Sequence, residues 1–218
     1  MTKRHLLFLL PLALSLTACS QIARQQAGAQ AAEAQGAWAG NWHAIWSIEF
    51  ENAPIDGPLV AEMWHAADGR LRIETLEAPT TALNGLTLVD TGAGVWFYDL
   101  RQNRAESGPA DLERIPIASD SLLVMGWMLA QLPAAAITGT HSDSLESGPA
   151  TRLSLITEGG DRAELWISTR TGLPAGLELQ SRQWGKVFLT SRSLEAPRSL
   201  KPGLFEFQPP ADAEILYR

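Results

Sequence analysis

One cysteine, Cys19, stands in the whole 218-residue chain, so no internal disulfide can form. Tyrosine is nearly as scarce, with two residues, and Lys and Arg together number 17 against 24 Asp and Glu. The resulting net charge of −7 argues against a nucleic-acid partner, because phosphates demand a basic footprint. No clustered run of Lys and Arg exists that would hold an anionic membrane surface. No phosphate-binding loop and no dinucleotide-binding glycine motif appears. No apolar run reaches the roughly 20 residues that a bilayer-spanning helix needs.

What is present begins at the start of the chain. Lys3, Arg4 and His5 form a basic head, and Leu6 to Leu16 is an apolar run broken only by Pro11 and Ser15. Thr17 and Ala18 then lead into Cys19. A charged region, an apolar stretch of about ten residues and a small-residue cleavage zone describe a secretory signal peptide. Leu16-Thr17-Ala18-Cys19 is similar to the bacterial lipobox, which implies cleavage before Cys19 and acylation of its thiol and amine. Cys19 is thus expected to be a membrane anchor rather than a reagent, since nothing nearby would depress its pKa. Loss of residues 1–18 takes Lys3 and Arg4 with it and moves the net charge from −7 to −9. Ser20, by the enterobacterial sorting rule, lets a lipoprotein leave for the outer membrane. The expected location is the cell envelope, anchored either to that membrane or to the outer face of the cytoplasmic one.

Residues 19–37 comprise the lipidated cysteine and an Ala- and Gln-rich stretch that reads as a tether. An N-terminal helix packed on the domain is the other reading of the same composition. Residues 38–218 are expected to be one domain, and from Trp38 the pattern changes. In Trp42 to Phe50 every second residue is apolar, the period of a half-buried strand. Similar strands are expected at 59–67, 70–76, 86–90, 95–99, 151–157, 162–169, 176–182 and 184–193, with a short one at 204–208. Asp68-Gly69 and Thr91-Gly92-Ala93-Gly94 read as hairpin turns. Consecutive strands with short turns predict an antiparallel meander, curved or closed.

One helix interrupts this pattern. Residues 120–133 are apolar on all sides, begin at a Ser119 or Asp120 cap and end at Pro133. A helix of that kind must be covered all round. It is buried by sheet and loop, or it lines a greasy cavity with its methionines as adaptable wall. Eight tryptophans add to the apolar material available for such a cavity.

The lipobox, the Trp-rich first strand and the stretch Gly69-Arg70-Leu71-Arg72-Ile73-Glu74, followed by Gly92-Ala93-Gly94-Val95-Trp96-Phe97-Tyr98-Asp99 with Asn103, resemble the LolA/LolB-like family of outer-membrane lipoprotein-sorting proteins. The closing GLFEFQPPADAEIL, 203–216, is similar to that family's final segment. The resemblance is one of strands and turns over roughly residues 38–216. It implies a mainly β, LolA-like (α+β) fold: a curved antiparallel sheet or incomplete barrel, apolar inside, with a plugging or lid helix. It further implies a non-enzymatic protein without cofactor, holding acyl chains of a lipid or lipoprotein for transport or sorting. The expected lining residues are Trp46, Phe50, Trp96, Tyr98, Leu122, Met125, Trp127, Met128 and Trp166. The chain departs from soluble LolA in keeping Cys19, and from LolB in its strong β-hairpin.

Other chemistry is weaker. Thr138 to Ser144 brings Ser, His and Asp together in sequence, but neighbouring residues cannot fold into a triad, and the segment reads as a polar loop. His43 and His65 each follow a tryptophan, and with Glu62 they would need a shared cleft to bind zinc. Arg70, Arg72 and Arg104 pair with strand glutamates or ring a cavity mouth. Two alternatives to the carrier remain: an envelope sensor or scaffold lipoprotein that binds a protein partner, and an envelope hydrolase built on His43, His65 and a carboxylate.

Overall fold

The computed structural model describes residues 36, 39–51, 57–108, 135–157, 159–181 and 185–217. Twelve strands follow in chain order: β1 (Trp42–Phe50), β2 (Leu59–His65), β3 (Leu71–Glu77), β4 (Leu86–Asp90), β5 (Val95–Asp99), β6 (Arg104–Gly108), β7 (Ala136–Leu145), β8 (Gly148–Ile156), β9 (Arg162–Ser168), β10 (Pro174–Ser181), β11 (Gly185–Glu195) and β12 (Glu214–Tyr217). They form one sheet, in the order β12-β6-β5-β4-β3-β2-β1-β11-β10-β9-β8-β7. Two meanders, β1 to β6 and β7 to β11, meet where β1 pairs with β11. Only β12 and β6 run parallel. The sheet curves without closing, with β7 and β12 as its edges, which decides between the curved and closed forms of the meander.

Period-2 alternation places β1 to β5 and β8 to β11 within a few residues of their observed bounds. Three strands lack that signal. β6 is Arg-Ala-Glu-Ser-Gly, β12 is a four-residue edge, and β7 has no apolar side chain from Thr138 to Ser144. The segment 138–144, expected as a loop, is therefore the middle of a strand. The reverse holds for Leu204 to Gln208, which is turn and irregular chain rather than strand. The expected helix at 120–133 and almost all of the tether lie outside the described residues.

The β2–β3 hairpin shows how the turns follow from the residues. The Gly69 N–H donates to the Ala66 carbonyl at 2.9 Å, and the Ala66 N–H to the Arg70 carbonyl at 2.9 Å. This three-residue loop needs a left-handed last position, which Gly69 supplies at φ 91°. In the β4–β5 turn a Cβ on Gly94 would lie 3.0 Å from the Gly108 carbonyl oxygen, so glycine lets the two strands approach without displacing that carbonyl.

Alternation sorts the side chains onto two faces. On the inner face one row of strand partners runs Ala44, Met63, Ile73, Leu88 and Phe97 across β1 to β5. A second row runs Ile48, Leu189, Leu177, Leu165 and Leu153 across β1, β11, β10, β9 and β8. All ten side chains are buried and belong to one core with Trp42 and Trp46. Burying each large member contributes about 1.5–3 kcal/mol, so this face organises the fold. Register shifts in the pairings β1–β11, β2–β3, β9–β10 and β7–β8 bend the strands, as bulges do.

The opposite, outer face is crossed by the C-terminal segment between β11 and β12. Arg72 Nη1 donates to the Leu204 carbonyl at 3.1 Å, and the Arg70 guanidinium lies over the Phe205 ring at 4.9 Å. Phe207 packs against Trp96 at 5.6 Å and Tyr98 at 5.7 Å. The Tyr98 hydroxyl donates to Asn103 Oδ1 at 3.0 Å, while Asn103 Nδ2 donates to the Asp212 carbonyl at 3.0 Å. The chain then enters β12 beside β6. Phe205 and Phe207 in the closing motif thus serve as pins that hold a strap on the sheet.

Candidate ligand-binding face

The inner face is the broadest apolar surface that the described residues build. Trp46 is wholly buried at its centre, and Phe50 is a half-buried neighbour of the same core at the end of β1. Polar groups on this face include Thr75 on β3, Asp99 on β5 and the pair Arg104 and Glu106 on β6. The Thr75 hydroxyl donates to the Leu83 carbonyl at 2.7 Å and accepts from the Leu86 N–H at 2.8 Å. Asp99 Oδ1 accepts from the backbone N–H groups of Arg101 and Gln102. Arg104 pairs with Glu106 at 2.7 Å. A surface so arranged offers contact area and few directional demands, which suits hydrocarbon.

The residues expected to line one cavity do not share a face. Trp46 and Phe50 lie on the inner side. Trp96 and Tyr98, on the outer side, pack under Phe207. Trp166 is also on the outer side, where its indole N–H donates to Asp143 Oδ2 at 3.0 Å. That bond, helped by the Ser144 N–H, holds the Asp143 carboxyl below the usual carboxylate range. Leu122, Met125, Trp127 and Met128 lie outside the described residues, as does Cys19.

The two histidines are separated by the same alternation. His43 Nε2 donates to Glu62 Oε1 at 2.7 Å on the outer face. His65 is on the inner face, where Nδ1 donates to the Gly40 carbonyl at 2.9 Å. Burial holds the His65 imidazole below its ordinary 6.5, against the opposing pull of the Gly40 carbonyl and Asp68. A single metal ion cannot reach both rings through the sheet. Among the described residues no group of three or more His, Cys, Asp or Glu could hold a metal ion. On β7, Ser142 and the pair His141 and Asp143 occupy alternate positions, so they face opposite ways.

A second feature was not visible in the sequence. Beside the start of β1, Asn41, Asp68 and Arg70 meet Arg198, Lys201 and Phe205 around a pocket of about 420 Å³. Of the three arginines expected at a cavity mouth, Arg70 alone lines it. Its other cations come from the strap, about 130 residues further along the chain.

No family model and no curated protein matches this chain. Solved structures do. An uncharacterized conserved protein of Thermus thermophilus superposes with a TM-score of 0.59 at 17% identity, over 88% of this chain and 99% of that one. The MucA/MucB complex of Pseudomonas aeruginosa gives 0.47 at 15% identity, over 84% of this chain and 61% of that one. A LolA superfamily protein of Nitrosomonas europaea gives 0.44 at 10% identity, over 82% and 96%. What the first of these shares with the present chain is its fold. Identity at this level keeps strand pattern and loses side-chain detail, so the two faces must be interpreted from their own residues.

Proposed function

We propose that the protein is a lipid-anchored, non-catalytic carrier of the cell envelope that holds acyl chains of a lipid or lipoprotein against the inner face of its sheet. In this reading residues 1–18 are the signal peptide, Cys19 carries the anchor, 19–37 are the tether and 38–218 bind the cargo. The observation that carries the reading is the pair of continuous apolar rows on one face of an unclosed sheet. Each methylene buried there contributes about 0.8 kcal/mol, so a long acyl chain binds with no catalytic or directional chemistry. Trp46 and Phe50 are the proposed contacts among the residues first expected to line a cavity. Trp96, Tyr98 and Trp166 are assigned to the outer face instead. The resemblance of the hairpin and closing motifs to the LolA/LolB-like family supports the same reading.

A second reading, an envelope sensor or scaffold that binds a protein, has one observation behind it. The edge strand β7 is ten residues long and carries neither lysine nor proline, the usual guards against strand addition. Native mass spectrometry with lipid extraction separates the two. Residues 20–218, secreted behind a cleavable signal peptide without a lipobox and purified from a bacterial envelope, are expected to bring a co-purifying mass with acyl-chain fragments. A clean mass that does not shift on adding phospholipid or lipopeptide would instead favour the scaffold.

A further inference from the structure

We propose that the pocket beside the start of β1 docks the domain onto the phosphate headgroups of the membrane in which its anchor sits. The inference rests on the lipid anchor at Cys19 and adds a second, non-covalent contact.

Charge is the first argument. Most cations of the described surface already have carboxylate partners, as in Arg72 with Glu74, Arg104 with Glu106 and Lys186 with Glu178. In the pocket Arg70 is committed likewise: its Nη2 lies 2.8 Å from Asp68 Oδ2, and its guanidinium rests on Phe205. Arg198 and Lys201 differ. Both are exposed on the pocket rim, and among the described residues no ion pair occupies either. Asn41 Nδ2 donates to the Arg198 carbonyl at 3.3 Å while Asn41 Oδ1 accepts from the Ala67 N–H at 2.9 Å, and the Leu204 N–H donates to the Lys201 carbonyl at 3.3 Å. Glu206, next to the exposed Pro202-Gly203 turn, also lines the pocket and acts on Arg70, so Asp68 and Glu206 stand against the three cations Arg70, Arg198 and Lys201. The sequence has no basic run, yet the fold gathers three cations from residues far apart in the chain against two carboxylates, an excess of one positive charge.

Attachment is the second argument. Asn41, at the pocket, is also where the chain arriving from Cys19 enters the sheet. About 20 residues separate Cys19 from Gly40. A linker of that length reaches roughly 25 Å as a coil and no more than roughly 70 Å extended. Of all the surface, this end of the sheet therefore meets the bilayer most often, at a high effective concentration. An acidic protein that must sit close to anionic lipid gains from placing two unpaired cations there. They turn this end of the sheet toward the membrane and keep the rest of the acidic surface away from lipid.

The test uses residues 20–218 secreted behind a cleavable signal peptide without a lipobox, so that neither an acyl group nor the apolar stretch 6–16 contributes. Flotation with vesicles of equimolar phosphatidylglycerol and phosphatidylcholine, at roughly 0.01 M salt where the Debye length is about 30 Å, is expected to recover bound protein. Pure phosphatidylcholine vesicles are expected to recover little. The double substitution Arg198→Glu with Lys201→Glu should lower partitioning about tenfold or more, as expected for charges within a Debye length of the surface. Arg101→Glu, in the β5–β6 turn at the other end of the strands, should leave it nearly unchanged. Far-ultraviolet circular dichroism and tryptophan fluorescence verify that each variant is folded. The proposal is overturned if the parent does not float, if the double variant floats as well as the parent, or if Arg101→Glu is as damaging. Capture of inorganic phosphate without vesicle binding overturns it too, by assigning a small-anion site. Failure of any of these leaves the anchor itself to be judged separately, by the mass of the membrane-extracted chain.

Discussion

Trp42 lies flat on His65, their ring centroids 5.3 Å apart and their planes 11° from parallel. On the other side of the same strand pair His43 stacks on Trp64 at 5.2 Å and 9°. One sequence device produces both. Trp42-His43 and Trp64-His65 pair in antiparallel register, so each tryptophan faces the other dipeptide's histidine, once on either face. The stacks fix the register of β1 against β2 at the point where the chain enters the sheet.

The inner stack makes stability depend on pH. Burial lowers the folded-state pKa of His65, while the unfolded imidazole titrates near 6.5. As pH falls through 6.5 the unfolded chain takes up the proton first, so stability declines until the lower folded pKa is reached. Above 6.5 the full stability is present. Urea unfolding at about pH 7.5 and about pH 5.5 should show this loss in the parent and a smaller one in His65→Gln. Equal losses would mean that His65 is not the group responsible.

Asn103, in the β5–β6 turn, should be the most sensitive point of the strap's attachment to the sheet. It sits at φ 49°, accepts from Tyr98 and donates to Asp212. Asn103→Ala removes both bonds and puts a Cβ-restricted residue in the left-handed region, for a loss of about 2–3 kcal/mol. Asn103→Gly removes the same bonds without the backbone strain and should lose about 1 kcal/mol less. Denaturant midpoints in that order verify the geometry, and the reverse order contradicts it.

The division between faces predicts that stability and cargo respond to different residues. Phe207→Ala uncovers Trp96 and Tyr98 and should lower stability by about 2 kcal/mol with co-purified acyl chains unchanged. Phe50→Ala, at the rim of the inner face, should lower the amount of co-purified lipid more than it lowers stability. A loss of lipid in Phe207→Ala alone would move the binding surface to the outer side.

Inner-face leucine and tryptophan rows announce themselves through alternation, which is why nine strands are readable from residues alone. β6 is not readable, because Glu106 stands where the Ala44-to-Phe97 row would place another apolar side chain, and Arg104 neutralises it. β7 escapes because an edge strand has one partner and needs no buried alternation on its outer positions. Trp96, Tyr98 and Trp166 mislead for a different reason. A tryptophan on a strand declares that it is covered, and not by what; here Phe207 and the β7–β9 surface do the covering. The pocket cations depend on contacts such as that between Asn41 and Arg198, which only the folded register creates.

The strap also sets an order of events. Arg72 meets Leu204 and Asn103 meets Asp212 across separations of 132 and 109 residues, and β12 completes its ladder only on a β6 already in place. Contacts so distant close slowly, because loop entropy must be met before they form. A chain emerging N-terminus first therefore exposes the Trp96 and Tyr98 surface until Phe207 arrives. The segment from Leu204 to Tyr217 works as a latch that closes over the outer face only once β3 and β6 are in place.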